Sequence, residues 1–408
     1  MQRYHIVTLV FIAVLSTAYG QSKLNEYLEF AKQNNPGLKS SYTEFEISLQ
    51  KVQQVNAIDD PRLQVSSFGQ MVETRTGQQM ARFSLEQMLP WFGTRTVMKD
   101  AASLKAEASF EAFKNESNKL ELSVKEAYYS LYEVDQAIRL NEENQKILES
   151  MKTLALSKFR NGTGTMSDVL RTDLMINDLV TERAILLEKK KPLTVTFNRL
   201  LHRDDESMVE ISEHLEIPAS IISSRDSISN HPRLEVLRKN VLAAQALESA
   251  AMKQGSPKLG VGVEYIITQK RPGIDFPDNG KDAYMAMFSV SLPIYRNKYK
   301  SAIKETQLMQ SSYSQMLVQE ENNLVAEFET ADFEMKRSWH QTQLYSKQTM
   351  QTKQIIELLL SSYSNNEADF DEILKMNQQL LNYQLMEVES LVRYHLALAK
   401  INYLIETE

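Results

Sequence analysis

Side chains able to do chemistry are thinly spread along this sequence. Its six histidines are His5, His202, His214, His231, His340 and His395, and no two stand at i, i+3 or i+4. No helix can therefore present a zinc-type histidine pair. There is no cysteine, which excludes thiolate metal sites, disulfides, a cysteine nucleophile and a lipid-anchored N-terminal cysteine. Neither a Gly-x-Ser-x-Gly elbow nor a phosphate-binding glycine loop occurs. What remains is Asp168, where a helix should start, and an acidic patch of Glu367, Asp369, Asp371 and Glu372 at another helix start, just after Tyr363. Carboxylates in the first turn of a helix are favoured as caps and by the helix dipole. No catalytic constellation, metal site or cofactor site is expected.

The elements that carry these residues follow from the distribution of chain-breakers. The chain has 408 residues, 12 glycines and 10 prolines, a supply sparse enough to favour mostly helix with breakers at a few junctions. A net charge of −7 argues against nucleic acid as partner, since phosphate binding needs basic clusters. Residues 1–20 read as a signal peptide, with Arg3, an apolar run from Ile6 to Ala18, and small residues before Gln21. Beyond it no run of 18 apolar residues occurs, so any entry into a membrane must be as a β-barrel.

Two halves follow. A helix candidate over 21–34 leads to a second that starts at Asn35-Pro36, with proline in its favoured first-turn place. Strand candidates at 62–72 and 80–89 precede a hairpin of long helices over 94–201, reversing at Asn161-Gly162-Thr163-Gly164. The first of these helices has about 65 residues without glycine or proline and would be on the order of 100 Å long. After a connector at 202–230 the pattern restarts. His231-Pro232 matches Asn35-Pro36 at an offset of 196 residues, and Leu292-Pro293-Ile294-Tyr295 matches Leu89-Pro90-Trp91-Phe92 at 203. Tyr363-Ser364-Asn365-Asn366 matches the first reversal at 204. The chain reads as a tandem duplication, 21–201 and 231–408, the second half holding a strand pair at 258–292 and a hairpin at 298–406.

The strands alternate. Leu259, Val261, Val263, Tyr265 and Ile267 share one face, as do Tyr284, Ala286, Phe288, Val290 and Leu292. The offsets map these onto Leu63 and Val65, then Ala81, Phe83, Leu85 and Leu89. Two readings are open: a barrel with lipid outside and water within, or a soluble sheet whose apolar face covers a core. Four strands cannot close a barrel, whereas three chains would supply twelve. In the helices, Val124, Ala127, Tyr128, Leu131, Val134 and Ile138 step by three and four, and Leu381, Leu385, Val388 and Val392 do the same. Such seams are coiled-coil packing. The positions between them are rich in Glu, Lys, Asn and Gln, as in Asn141-Glu142-Glu143-Asn144-Gln145-Lys146.

Taken together, the paired halves, the Leu-Pro-Trp-Phe-Gly-Thr-Arg stretch at 89–95, Ser291-Leu292-Pro293-Ile294-Tyr295 and the two tips resemble TolC-type outer-membrane efflux proteins. The Pro-Trp-Phe-Gly turn is most similar to the branch of CusC-like metal-efflux channels. The resemblance implies a mainly α fold with a small β part. In it, duplicated α-hairpins form a trimeric α-barrel, and four strands per chain contribute to a twelve-stranded barrel. It further implies a homotrimer in the outer membrane of a Gram-negative bacterium, reaching into the periplasm. Its partners would be outer-membrane lipid, a periplasmic adaptor and an inner-membrane pump, and its role that of a passive duct for small molecules, drugs or metal ions.

By the same resemblance, Asn161, Gly162, Thr163, Asn365 and Asn366 are adaptor-contact tips, and Asp168, Tyr363 and Glu372 belong to a periplasmic gate. The arginine of the family's closing bridge is Ala368 here, and one of its two acidic rings falls on Lys375, leaving only that of Glu372. A ring of carboxylates in a narrow entrance would favour cations. Plainer roles stay open beside these: Asp168 and Glu372 as helix caps, and Tyr363 as a packing residue. The competing whole-chain reading is a periplasmic coiled-coil adaptor or spacer without a membrane barrel.

Overall fold

In the computed structural model, residues 23–211, 214–218, 225–273, 276–365 and 368–405 are described, without the side chain of Met71. The signal-peptide expectation, and the tip assignment of Asn366, fall outside the described residues. Helix α1 covers 23–34 and α2 Pro36–Asn56. Strands β1 (Arg62–Thr74) and β2 (Gly77–Leu89) lead into α3 (Thr94–Arg160) and α4 (Met166–Leu200). A 3-10 turn, Arg225–Asn230, lies in the expected connector. The same order of elements then recurs as α5 (Pro232–Gln254), β3 (Lys258–Gln269), β4 (Ala283–Ser291), α6 (Arg296–Ser364) and α7 (Phe370–Ile405). The first strand pair is longer than the alternation suggests. Polar residues 73–79, expected as a loop, continue both strands into a tight turn, where Gly77 takes φ +131°. No helix among the described residues is long and apolar enough to cross a membrane.

Two compact units each draw on both halves of the sequence. One holds the sheet, in the order β1-β2-β3-β4, all antiparallel. The register puts Leu63, Leu85, Val263 and Ala286 in one row across the four strands, and Val65, Phe83, Tyr265 and Tyr284 in the next. This apolar face is open: Phe288 is 84% and Tyr284 86% exposed. The opposite, more polar face is the covered one, with Ile266 at 3% and Glu264 at 7%. There Arg82 pairs with Glu264 at 3.0 Å and Ser289 donates to Glu86. A water-soluble antiparallel sheet is arranged the other way round. Glycines allow the inner face to close on itself, since a Cβ on Gly262 would lie 2.7 Å from the Leu85 carbonyl oxygen. Alongside the sheet, Phe45 of α2 packs on Phe110 of α3 at 5.1 Å, Lys239 of α5 pairs with Glu107 at 2.6 Å, and Gln310 of α6 donates to Glu248 at 2.6 Å.

The other unit is helical. α4 lies against α3 through the ion pairs Lys152–Asp173, Glu142–Arg183 and Asp135–Lys190. α3 meets α7 through Tyr129 and His395, whose rings are 5.4 Å apart, and α7 meets α6 through a buried Thr342–Ser390 hydrogen bond of 2.9 Å. Along these stretches the helices neighbour one another in the order α4-α3-α7-α6, while near the hairpin ends α4 also meets α7 and α3 meets α6. Val124, Tyr128, Leu131 and Val134 are buried as the seam requires. Within the polar run, Asn141 and Asn144 are buried, continuing the seam toward Leu148, Met151 and Ala155. Asn377 Nδ2 donates to Asn144 Oδ1 at 2.8 Å. A buried polar pair in a coiled-coil seam satisfies its amides in one register only.

Two outcomes test this packing. Gly262→Val should cost about 1–3 kcal/mol through forced displacement of the β2 backbone, whereas Gly69→Ala, with nothing within 4 Å of the new Cβ, should be near neutral; equal melting temperatures would refute the close approach. His395 is buried, its Nε2 without a hydrogen-bond partner among the described residues, and burial pushes its pKa down to about 4. The unfolded chain takes up that proton near pH 6.5, so the stability contributed by neutral His395 is complete above pH 6.5. It is lost as pH falls toward 4, on the order of 3 kcal/mol in all. In urea titrations at pH 7 and 4.5, His395→Phe should lose less stability on acidification than the parent chain, and an equal loss would assign the effect to other groups.

Candidate functional site at the hairpin tips

The first tip is a helix ending of defined geometry. Gly162 takes φ +75°, its N–H donates to the Phe159 carbonyl at 3.0 Å, and Thr163 N–H reaches back to the Lys158 carbonyl at 3.0 Å. This is a Schellman ending with glycine in the left-handed position after the helix. Asn161, Gly162 and Thr163 are all exposed. α4 then begins with a capping box: Asp168 N–H donates to Thr165 Oγ1 at 3.3 Å, and Thr165 N–H donates to Asp168 Oδ2 at 3.2 Å. Asp168 therefore satisfies a backbone donor that the helix start leaves open. At the second tip, Asn365 is exposed and its N–H donates to the Ser362 carbonyl at 3.1 Å.

Beneath the tips an apolar core formed by Leu148, Met151, Ala155, Val169, Ile373 and Leu374 packs the two hairpins together. Tyr363 belongs to it, its ring 5.1 Å from that of Phe370. The Tyr363 hydroxyl is buried without a hydrogen-bond partner among the described residues. Burial raises its pKa, and the carboxylates of Asp168 and Asp369 raise it further. Asp168 and Tyr363 are thus brought within electrostatic reach of each other. Glu372 is separate: it lies exposed in the first turn of α7 and makes no ion pair among the described residues.

Three residues outside the expected gate tie the hairpins together. Lys158, in the last turn of α3, donates to the Tyr363 carbonyl at 2.6 Å and holds its ammonium 4.5 Å from the Tyr363 ring centroid. A cation there meets the open carbonyls and negative dipole end of α6, and the ring face as well. Farther from the tip, Arg171 of α4 is ion-paired with Asp371 of α7. Lys375 holds the other oxygen of Asp371 at 2.7 Å. The Lys375 bond keeps the Asp371 carboxyl below the usual range, with Arg171 adding to it, and Asp371 raises Lys375 in return. Lys375, which stands where an acidic ring was expected, is therefore neutralised within its own helix. No local feature of the sequence marks these contacts, since the members of the Arg171–Asp371 and Lys158–Tyr363 pairs stand 200 and 205 positions apart.

No protein-family model matches the chain, and no curated protein matches it by sequence. Solved structures match it over almost its whole length. CusC superposes with a TM-score of 0.78 at 12% identity, over 94% of this chain and 92% of that one. The outer membrane protein VceC of Vibrio cholerae gives 0.75 at 14% identity, over 95% and 97%. The MtrE outer membrane channel of Neisseria gonorrhoeae, in its open state, gives 0.75 at 14% identity, over 94% and 88%. At such identities the likeness is one of fold, and the fold of this chain is that of the TolC-type outer-membrane channels.

Proposed function

We propose that the protein is a passive exit duct in the outer membrane of a Gram-negative cell. Three copies would form a twelve-stranded barrel continued by an α-helical tunnel into the periplasm. The observation that carries this reading is the sheet, with its apolar face open and its polar face covered. The open apolar stretch from Tyr284 to Leu292 spans about 27 Å along the strand, or about 20 Å in height at a tilt near 40°, close to the apolar band of outer-membrane barrels. Closure among copies would pair the free edges of β1 and β4. In the helical unit the flanking helices α4 and α6 carry exposed apolar residues, Leu170, Leu174 and Ile185 on one and Phe333, Leu344 and Leu358 on the other. Neighbouring copies would cover these. The duplication of hairpin and strand pair within one chain supports the same architecture.

In this reading the tips are the periplasmic entrance, Asn161, Gly162, Thr163 and Asn365 facing an adaptor that couples the duct to an inner-membrane pump. Asp168 and Tyr363 would act in its gate, with closure held by Lys158 and the Arg171–Asp371–Lys375 cluster in place of the missing arginine. Glu372 would face the entrance as the remaining carboxylate. The duct does no chemistry, and the pump would supply energy and most of the cargo choice.

Phe288→Lys places a charge on the open sheet face and should lower recovery from the outer-membrane fraction sharply, at about 2–4 kcal/mol for a cation near the midplane. Met208→Lys, equally exposed at 84% but remote in sequence from the sheet, should have no effect. A spacer would instead stay soluble without detergent and tolerate both changes. For the gate, Asp371→Asn with Arg171→Gln should raise single-channel conductance in planar bilayers several-fold and sensitise cells to large antibiotics, as should Asp168→Ala or Tyr363→Phe. Unaltered conductance in folded variants would remove these residues from the gate.

A further inference from the structure

Where the sheet joins its helices, several cations make no ion pair among the described residues. The Trp91-Phe92-Gly93 turn, the end of α5 and the start of α6 meet here: Lys253 Nζ donates to the Phe92 carbonyl at 3.4 Å, and Arg296 to the Gly255 carbonyl at 3.5 Å. Close by in sequence are Lys99 on α3 and Lys298, Lys300 and Lys304 on α6, all exposed. None of these cations makes an ion pair among the described residues. Over residues 94–104, 249–258 and 296–304, Asp100 is the sole carboxylate, although Asp59 and Asp60 precede β1 at the same end of the sheet and Glu305 follows Lys304. Neither α3 nor α6 has an acidic residue in its first turn, although helix starts favour carboxylates and disfavour lysine and arginine. In water this arrangement is destabilising through like-charge repulsion and through the helix dipoles together.

Beside the cations stand large apolar groups open to the outside. Phe92 is 76% and Tyr295 81% exposed, and through Ile294 and Leu292 they continue the open apolar face of the sheet. Aromatic residues at the edge of an apolar band, with lysine and arginine just beyond, match the chemistry of a membrane interface: rings at headgroup level and cations at the phosphates. An acidic protein partner would satisfy the charges but not the continuity of the aromatics with the apolar band.

We propose that this junction binds the headgroup phosphates of anionic phospholipids, with Lys298, Lys300 and Lys304 supplying the charge and Phe92 and Tyr295 seated among the acyl chains. The proposal rests on the outer-membrane reading above. Bound lipid would set the depth at which the sheet sits and offset the unfavourable charge at the starts of α3 and α6.

The test uses the full chain in neutral detergent, with retained lipid read by native mass spectrometry. Phosphatidylglycerol, phosphatidylcholine and inorganic phosphate are titrated separately. The parent protein should retain phosphatidylglycerol over phosphatidylcholine. The triple variant Lys298→Gln, Lys300→Gln, Lys304→Gln, of unchanged helicity, should bind phosphatidylglycerol at least about tenfold more weakly, a cautious figure given about fivefold per surface lysine. Equal retention of the two lipids, or unchanged retention by the variant, overturns the proposal. Displacement of phosphatidylglycerol by millimolar inorganic phosphate overturns it in favour of a simple ion site. Failure of the outer-membrane reading would show separately, as a protein that stays dispersed without detergent and carries no detergent belt.

Discussion

The outer edges of β1 and β4 each carry a row of backbone N–H and C=O groups with no strand partner among the described residues, and much of the architecture answers to that. In water such edges recruit other strands, and proteins usually blunt them with charge, proline or a bulge. In a bilayer the constraint is stricter, because an unpaired backbone group has no water to turn to. A sheet that also turns its apolar face outward cannot satisfy both demands alone. Closing with copies of itself, as proposed, would meet both, since it would pair the edges and leave the apolar face to lipid. The covered face can then be polar, and Arg82, Glu264, Glu86 and Ser289 pair with one another there.

The helical unit meets a parallel demand with side chains. A layer ordered α4-α3-α7-α6 has two flanks, and the apolar residues left on α4 and α6 are the helical counterpart of the open strand edges. Within the layer, apolar seams give adhesion but little register, since a leucine tolerates a shift of one turn. The Asn144–Asn377 pair and the ion pairs between α3 and α4 add the register. Ties at the tips are of another kind. Lys158, Arg171 and Asp371 lie at or near the surface, where ion pairs contribute little to stability and are screened by salt. Contacts of that strength would suit the releasable closed state proposed for the entrance.

Much of the fold was legible along the chain because it depends on local periodicity. The scarcity of glycine and proline, the steps of three and four and the strand alternation reflect the geometry of single elements. The repeat spacing gave their order, and the apolar strand residues Leu63, Val65, Leu85, Val263 and Phe288 share the face assigned to them. The burial of Asn141 and Asn144 was not legible, because residue type is a poor guide to burial when a polar side chain can find a partner on another helix. The site was harder. Asp168 and Tyr363 could be picked out from motif positions, but Lys158 bonds to a residue 205 positions away and Arg171 to one 200 away. Nothing local marks such pairs.

The sequence by itself determined which segments are helix and strand, where they reverse, and which strand residues stand on a common face, since each depends on dihedral preference and repeat period within one element. Only the tertiary structure decided which sheet face is covered, which polar residues enter the helical seam and which cations cross between hairpins. Those depend on long-range proximity, which burial and unsatisfied hydrogen-bonding groups settle once the elements are packed.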